Sequence, residues 1–298
     1  ALGLHADGNI VVGGTFTTYN GATANRVIRI TGNGTLDSSF TGFTGNITGN
    51  FTVNTLAIQG DGRLLVGGNF TSVNNDPNYR YLARLSYPGG ALDASFISPV
   101  NSTVLTVTQQ STGALLAGGT FNSPNVGVVR LGATGSWDSS AIHTLRSATG
   151  VVSAVIPQAG GKTVVVGNFD RSRGGVVVGN IARFNGDGTV DPTFNAGGAG
   201  ANGVIYAALA LPDGRIAIAG SFTAYNGSLR GGIAVINADG SLHAPFTPTA
   251  GGLAGVGYSM AVLSGGRLAA GGSFSTANGI ALRNVAVFHL DGSLDPTF

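Results

Sequence analysis

Short runs of apolar residues alternate with turn-forming residues along the whole chain. In one stretch, the apolar runs at 55–59 and 63–68 are joined by an Asp-Gly pair at 61–62, and two further runs follow at 81–85 and 91–96. Asp-Gly favours the positive φ angles of a tight hairpin, and runs of this length bounded by turn residues are typical of strands. The pattern predicts four short antiparallel strands in this stretch, which we take as one unit.

One phrase recurs six times: an apolar run ends in glycine, one residue follows, and then phenylalanine. The glycines are Gly14, Gly68, Gly119, Gly167, Gly220 and Gly272, and the phenylalanines are Phe16, Phe70, Phe121, Phe169, Phe222 and Phe274. The resulting repeat of about 50 residues, rich in strands and turns, is typical of stacked β-units. We expect the glycine to permit a close backbone approach or a bulge, and the phenylalanines to fill the space between units.

Four strands per unit and six units predict an all-β fold, a six-bladed β-propeller with four antiparallel strands per blade. The whole chain, 1–298, is then one propeller. Its repeats span approximately 1–50, 51–101, 102–149, 150–201, 202–254 and 255–298. A parallel β-helix is the rival architecture, but its rungs are usually shorter and lack two hairpin turns each.

Composition narrows the class of protein. Charged residues make up only 9% of the chain, the net charge is +2 and lysine occurs once, so a nucleic-acid partner is not expected. Cysteine is absent, which excludes disulfides and thiolate metal sites. No apolar segment is long enough to span a bilayer. We expect no cofactor and no metal site, and we favour an extracellular location in bacteria, as for many exported β-repeat proteins.

The repeat carries a longer signature: an Asp-Gly turn, the glycine and phenylalanine phrase, an arginine in the third strand, and then Gly-x-Leu-Asp-x-x-Phe. It is complete as Asp7-Gly8, Gly13-Gly14-Thr15-Phe16, Arg29 and Leu36-Asp37-Ser38-Ser39-Phe40, and again as Asp61-Gly62, Gly67-Gly68-Asn69-Phe70, Arg84 and Leu92-Asp93-Ala94-Ser95-Phe96. This signature resembles the bacterial delta-60 repeat, a family of kelch-like propeller repeats. The resemblance covers nearly the whole chain and implies a large secreted or surface protein, with no catalytic residues to carry over. The departures are Ile142, Val235, His243 and Val287.

The antiparallel order of the four predicted strands in each repeat indicates where a ligand would bind. The loops between second and third strands are long and unlike one another, and they share one face, so any ligand is expected there. Tyrosine, asparagine and arginine in these loops suit sugar or carboxylate recognition. The candidate residues are Tyr19, Asn20, Arg26, Tyr79, Arg80, Arg173, Tyr225, Asn226, Arg230 and Arg283. The alternative is that Asn-Gly forms a turn and arginine binds a neighbouring carbonyl.

Five aspartates recur once per repeat, each with Ser, Thr or Ala close behind. They are Asp37, Asp93, Asp138, Asp191 and Asp295. A calcium or catalytic role is one interpretation, but calcium needs several oxygen ligands close together. A carboxylate that accepts backbone N–H groups in a turn is the simpler hypothesis.

The leading functional hypothesis is a non-enzymatic secreted or cell-surface propeller that binds a glycan or protein, or acts as a spacer in a larger adhesin-like protein. One alternative is a hydrolase or lyase acting on polysaccharide, for which Asp76 and Asp170 are the clearest acids on the loop face. Another is a self-assembling structural surface protein, since a pattern that begins inside the first strand leaves the ring to close by face packing, or through a longer chain or polymer. The expected partners are a glycan or protein on the loop face, other domains, or further copies.

Overall fold

The computed structural model describes residues 1–44, 51–141, 145, 150–170, 178–248 and 251–298. These residues form two compact units, Ala1–Thr144 and Leu145–Phe298. The described part of each unit contains three antiparallel sheets of three strands, one sheet for each repeat. The middle strand of each sheet is the second strand of its repeat.

In the first unit the sheets are β1–β2–β5, β6–β7–β8 and β9–β10–β11, and β3 and β4 form a separate hairpin. The strands are β1 (Leu2–Leu4), β2 (Ile10–Gly13), β3 (Thr18–Tyr19), β4 (Ala22–Thr23), β5 (Val27–Ile30), β6 (Val53–Ile58), β7 (Leu64–Gly68), β8 (Leu82–Leu85), β9 (Val104–Gln109), β10 (Leu115–Gly119) and β11 (Val128–Leu131).

In the second unit the sheets are β12–β13–β14, β15–β16–β19 and β20–β21–β22, and β17 and β18 form a hairpin. The strands are β12 (Val151–Pro157), β13 (Thr163–Asn168), β14 (Ile181–Phe184), β15 (Ile205–Ala210), β16 (Ile216–Gly220), β17 (Ala224–Tyr225), β18 (Ser228–Leu229), β19 (Ile233–Ile236), β20 (Leu253–Val262), β21 (Leu268–Ala277) and β22 (Val285–Phe288). Two short 3₁₀ turns, Ala159–Gly161 and Ser264–Gly266, precede the middle strands β13 and β21.

The fourth strand predicted for each repeat is reduced to a single bridge residue. In the first repeat Leu36 bridges Ile30, and the other repeats have the same bridge. The ladder ends at the next residue, Asp37, whose Oδ1 accepts the backbone N–H of Ser39 at 2.9 Å and so forms a turn. The chain therefore turns away after one bridge, so each repeat has three strands and a bridge instead of four strands.

Apolar side chains are buried between consecutive repeats. One core cluster joins the first and second repeats around Phe70, and another joins the second and third around Phe121. In the second unit, the fourth and fifth repeats share the cluster that contains Phe222, and the fifth and sixth share the one that contains Phe274. The predicted place between repeats is confirmed for these four phenylalanines, whereas Phe16 is half-buried and belongs to none of these clusters. Burial on both faces also explains why β7 is apolar throughout.

The second glycine of the recurring phrase lies against the backbone of the first strand. A Cβ at Gly119 would overlap the carbonyl oxygen of Thr103, and Gly68, Gly167, Gly220 and Gly272 face the same obstruction in their own repeats. The strand register shifts at the same point, as between Gly118 and Gly119. The predicted close approach and bulge are thus confirmed. Gly14, in the first repeat, is less crowded.

In the first, second and fourth repeats, the third-strand arginine fastens the repeat to the next one. Arg84 Nε donates to Asp93 of its own repeat at 2.8 Å, and Arg84 Nη1 donates to the carbonyl of Ala133 in the following repeat. The guanidinium also lies over the ring of Phe96, 4.8 Å from its centroid. The same three contacts are made by Arg29, with Asp37, Pro88 and Phe40, and by Arg183, with Asp191, Ala238 and Phe194.

The departures from the signature in the fifth and sixth repeats are compensated by a second arginine just before the middle strand. In the sixth repeat Val287 replaces the third-strand arginine, and Arg267 pairs with Asp295 instead. In the fifth repeat Val235 and His243 replace both partners, and Arg215 Nη1 lies 2.6 Å from His243 Nε2. The departure at Ile142 lies outside the described residues.

Candidate functional site

The two predicted Asn-Gly pairs form tight hairpins in the loops after the second strand. Asn20 has φ 48° and Gly21 φ 80°, while Asn226 has φ 48° and Gly227 φ 77°. Positive φ at both central residues is the type I′ turn that suits the twist of two short strands. These pairs close the hairpins β3–β4 and β17–β18. The turn interpretation of Asn20 and Asn226 is confirmed.

The candidate tyrosines use their hydroxyls to hold the loops. Tyr19 Oη donates to the carbonyl of Gly34 at 2.7 Å, and Tyr225 Oη donates to that of Gly240 at 2.6 Å. Tyr79 Oη donates to the carbonyl of Ala94 at 3.2 Å. In each case the acceptor follows the third strand of the same repeat. Asn278 takes this role in the sixth repeat, where its Nδ2 donates to the carbonyl of Gly292 at 2.9 Å.

Burial limits which of these rings a ligand could touch. Tyr225 is fully buried, and this burial raises the pKa of its hydroxyl. Tyr79 is also buried, whereas Tyr19 is half-buried. In this conformation the rings of Tyr225 and Tyr79 therefore cannot stack on a ligand. Binding by the remaining loop residues stays a prediction.

The candidate arginines fall into two groups. Arg26 and Arg230 are half-buried, and the Nε of each is buried without a hydrogen-bond partner. Arg230 Nη1 donates to the carbonyl of Leu229 at 2.7 Å, and burial lowers the pKa of Arg230. The side chains of Arg80 and Arg283 are exposed and make no hydrogen bond or ion pair with the described residues. Arg173 lies outside the described residues.

Arg26 also occupies a special backbone position. The residue before the third strand has positive φ in all six repeats: Arg26 (60°), Tyr81 (64°), Gly127 (74°), Asn180 (65°), Gly232 (62°) and Asn284 (71°). Its N–H donates to the carbonyl of the recurring phenylalanine, and its carbonyl accepts the N–H of the recurring second glycine. For Arg26 these partners are Phe16 and Gly14, at 3.1 and 2.9 Å. This pair of bonds closes the neck of every loop.

The second unit brings one candidate arginine to a surface depression. Arg283 lines an open hollow of about 510 Å³ with Ala254, Ser273, Ser275 and Asn284. Tyr225, Asn226 and Arg230 lie on the β17–β18 hairpin and its exit. In the first unit, Tyr19, Asn20 and Arg26 belong to the β3–β4 loop, and Tyr79 and Arg80 to the loop before β8.

The recurring aspartates are bound within their own turns. Oδ1 of each accepts the N–H of the residue two positions on, at 2.8 to 3.0 Å, and this holds for Asp37, Asp93, Asp138, Asp191 and Asp295. The turn interpretation is confirmed. What sequence reasoning missed is the arginine or lysine on the other carboxylate oxygen. The third-strand arginine precedes the aspartate by eight or nine residues in four repeats, as Arg29 precedes Asp37, and the two could have been paired on that signal.

These contacts keep the carboxylates ionised. Burial acts to raise the pKa of Asp93, but hydrogen bonds from Ser95 and Arg84 outweigh it and lower the pKa to about 2. Asp191 is more deeply buried than Asp93, yet its bonds from Lys162 and Thr193 hold its pKa far below the usual range. Such a carboxyl is a poor general acid or base near neutral pH. Across the residues with assigned positions, no three His, Cys, Asp or Glu side chains converge as metal ligands would.

Sequence reasoning did not single out an exposed aromatic pair in the second unit. The rings of Tyr206 and Tyr258 have centroids 5.3 Å apart and planes inclined by 57°. Each occupies the first strand of its repeat, β15 and β20. Their spacing of 52 residues, one repeat, was the signal in the sequence that could have identified the pair.

None of the described helical segments is long and apolar enough to cross a membrane.

Several solved structures are similar to this chain. A protein of unknown function from Bacteroides caccae matches with a TM-score of 0.52 and 11% identity, covering 96% of this chain and 91% of that one. The extracellular domain of a putative hybrid two-component system from B. thetaiotaomicron has a TM-score of 0.56 and 13% identity, covering 99% of this chain and 34% of that one. PorZ, a surface component of the type IX secretion system of Porphyromonas gingivalis, has a TM-score of 0.56 and 15% identity, covering 99% and 40%.

At these identities the similarity shows the fold alone, and comparison with curated proteins gives no match. The repeat signature itself is matched by one family, described as a domain of unknown function (DUF5122) beta-propeller. The match covers residues 5–40, 59–96, 158–194, 211–243 and 264–298, well over half of the chain, and each segment includes the apolar middle strand and the third strand described above. Repeated three-stranded sheets and this match together place the chain in the DUF5122 beta-propeller family.

Proposed function

We propose that this chain is a non-enzymatic β-propeller module of a larger secreted or cell-surface bacterial protein, in which it binds a glycan or protein or acts as a spacer. The observation that carries the proposal is how the acidic residues are used. All thirteen are aspartates, and twelve accept the backbone N–H of the residue two positions on in their own turns.

A propeller hydrolase or lyase would need paired carboxylates, or an arginine cluster, facing one pocket. Here the recurring carboxylates are tied to arginines that hold repeats together, as Asp93 is to Arg84. Even Asp76, a candidate acid of the loop face, accepts the N–H of Asn78 at 2.9 Å. This use of charge supports a scaffold and binding role over catalysis.

Six blades are part of the proposal. Six three-stranded sheets come from six repeats, and core clusters join consecutive repeats within each unit. A propeller buries its blades in this way, face against face. The similar structures support an extracellular module: two are an extracellular domain and a surface component, and this chain matches only 34% and 40% of their lengths.

Three measurements test the proposal. Protease treatment of intact source cells should remove the protein if it is on the surface, and culture supernatant should contain it if it is secreted. The purified chain should bind a glycan or protein partner, or behave as an inert spacer, without releasing product from any polysaccharide. Polysaccharide turnover that is lost in Asp76→Asn or Asp170→Asn would overturn the non-enzymatic part, and protein confined to the cytoplasm would overturn the location.

A further inference from the structure

Tyr206 and Tyr258 occupy the same structural position in consecutive repeats. In β15 the register shifts between Ile205 and Ala207, so that Tyr206 is the extra, bulged residue. In β20 it shifts between Gly257 and Ser259, which makes Tyr258 the bulged residue. A bulge re-aims the side chain it carries, and bulges are common beside functional sites.

Elsewhere this bulge position does not carry an aromatic side chain. The equivalent residues are Asn54, Leu105 and Ser153. Asn54 has a structural role, because its Nδ2 donates to the carbonyl of Val104 in the next repeat at 3.1 Å. The repeat fold therefore does not require an aromatic residue at this position, and the two adjacent tyrosines are specific to the second unit.

The two tyrosines differ from those that serve the fold. Tyr206 is 38% exposed and Tyr258 is 52% exposed, whereas Tyr225 is fully buried. The hydroxyls of Tyr19 and Tyr225 donate to backbone carbonyls, but neither the hydroxyl of Tyr206 nor that of Tyr258 makes a hydrogen bond to any residue in the described ranges. Part of each ring and both hydroxyls are therefore open to a ligand.

The two strands that carry the pair have no charged side chains, and many of their side chains are small. β15 reads Ile-Tyr-Ala-Ala-Leu-Ala and β20 reads Leu-Ala-Gly-Val-Gly-Tyr-Ser-Met-Ala-Val, with no charged side chain in either. A phosphate or other strong anion would find no cation on these strands. A stable protein interface buries about 800 Å² on each partner, far more than two tyrosine rings among alanines and glycines offer. The site suits a small neutral ligand.

We propose that Tyr206 and Tyr258 form a carbohydrate-binding platform for neutral glycans. A hexose presents a flat C–H face comparable in size to a phenol ring, with hydroxyl groups around its edge. The C–H face packs on one ring, the second inclined ring contacts the same or the neighbouring sugar, and the phenol hydroxyls bind sugar hydroxyls. The proposal rests on the binding role proposed above and assigns it a ligand class and residues outside the long loops.

The test uses the whole chain on an array of neutral glycans, followed by calorimetric titration with a soluble oligosaccharide of the best-bound glycan. We expect Tyr206→Ala and Tyr258→Ala each to weaken binding by about tenfold or more, which is the scale of one lost aromatic contact. Tyr258→Phe keeps the ring and loses only the hydroxyl, so its loss should be smaller. Leu105→Ala is the matched control, since it changes the same bulge position in another repeat, and it should leave affinity unchanged.

Thermal unfolding of each variant shows whether the fold is intact. Absence of binding to every neutral glycan, or unchanged affinity in the folded Tyr206→Ala/Tyr258→Ala double variant, overturns the platform. So does a protein partner whose binding needs both tyrosines and is not displaced by the oligosaccharide. These outcomes leave the surface-module proposal standing, because that proposal fails only on location or turnover.

Discussion

Arg84 and Asp93 form an ion pair in which the arginine is almost completely buried, with Arg84 Nε 2.8 Å from Asp93 Oδ2. The same guanidinium donates to the carbonyl of Ala133 in the next repeat. One side chain therefore closes its own repeat and fastens the following one. Arg63, at the start of the middle strand, lies 3.4 Å from the same carboxylate and is much more exposed.

The first prediction is a coupling between these two arginines. Arg84→Val reproduces the arrangement of the sixth repeat, where Val287 leaves Asp295 to Arg267. We expect it to lower the free energy of unfolding by about 3 kcal/mol, since one partner of a buried pair is lost. Arg63→Ala alone should lower the free energy of unfolding by less than about 1 kcal/mol, as for exposed pairs.

The double variant should lose more unfolding free energy than the sum of the two single variants, because no arginine then pairs with Asp93. Urea unfolding measures all three, and simple additivity would contradict the coupling.

The second prediction concerns the recurring glycine. Gly119→Ala places a Cβ against the carbonyl oxygen of Thr103, so the two strands must separate. We expect a loss of about 2–3 kcal/mol or more, which is the range for overpacked interiors. Gly60→Ala is the control: a Cβ there meets nothing within 4 Å. Equal unfolding midpoints for the two variants in urea would show that the close approach is not what selects glycine.

The third prediction separates strain from binding at Arg26. This residue has φ 60°, and its Nε is buried without a partner. Asn180 and Asn284 occupy the same position in other repeats, and asparagine tolerates this conformation better than arginine. Arg26→Asn should therefore leave stability unchanged or raise it by up to about 1 kcal/mol.

Arg26→Val is the matched contrast, because a β-branched residue is strongly disfavoured at positive φ. It should be destabilising by calorimetry and urea unfolding. If valine is tolerated as well as asparagine, the neck conformation is not maintained in solution. If Arg26→Asn stays stable but loses affinity for a ligand of the loop face, the binding prediction for Arg26 gains its first support.

The fourth prediction is a loss of stability in acid. The pKa of Asp93 is lowered from its ordinary 3.8 to about 2 in the folded protein. A carboxyl with a depressed folded pKa contributes stability that is present above 3.8 and is lost as pH falls towards 2. The pKa values of Asp37, Asp138, Asp191 and Asp295 are lowered as well.

The melting temperature should therefore vary little between pH 8 and 5 from this source and fall steeply below about pH 4. Asp93→Asn should start from a lower melting temperature and show a shallower decline, because one of the titrating groups is gone. A decline as steep as that of the wild type would show that Asp93 does not contribute.

Much of the local structure follows from the sequence because its causes are local. Asp7-Gly8 and Asn20-Gly21 specify turns through their own conformational preferences, and apolar runs such as 64–66, bounded by turn residues, are typical of strands buried on both faces. The recurring aspartates also bind their own turns, as the adjacent Ser and Thr residues predict. The fourth strand was overestimated, because the apolar Leu36 signals a strand while the turn formed by Asp37 ends it after one bridge.

The candidate site depended on contacts that lie far apart in sequence. Tyr225 lies in a loop whose composition suggests ligand binding. In the structure, however, its hydroxyl donates to the carbonyl of Gly240 and its ring is buried. Tyr206 and Tyr258 lie within strands and belong to no recognisable sequence motif, but β-bulges bring their rings together at the surface.

The sequence by itself determined the repeat, its turns and its apolar middle strands, since each depends on residues within a few positions of one another. The tertiary structure decided which polar side chains serve the fold and which stay free. Arg29 donates a hydrogen bond to the carbonyl of Pro88, 59 residues away in the sequence, whereas Arg283 and the tyrosine pair remain exposed. That difference arises from the packing of one repeat on the next, which places distant groups within hydrogen-bond distance and which no local pattern specifies.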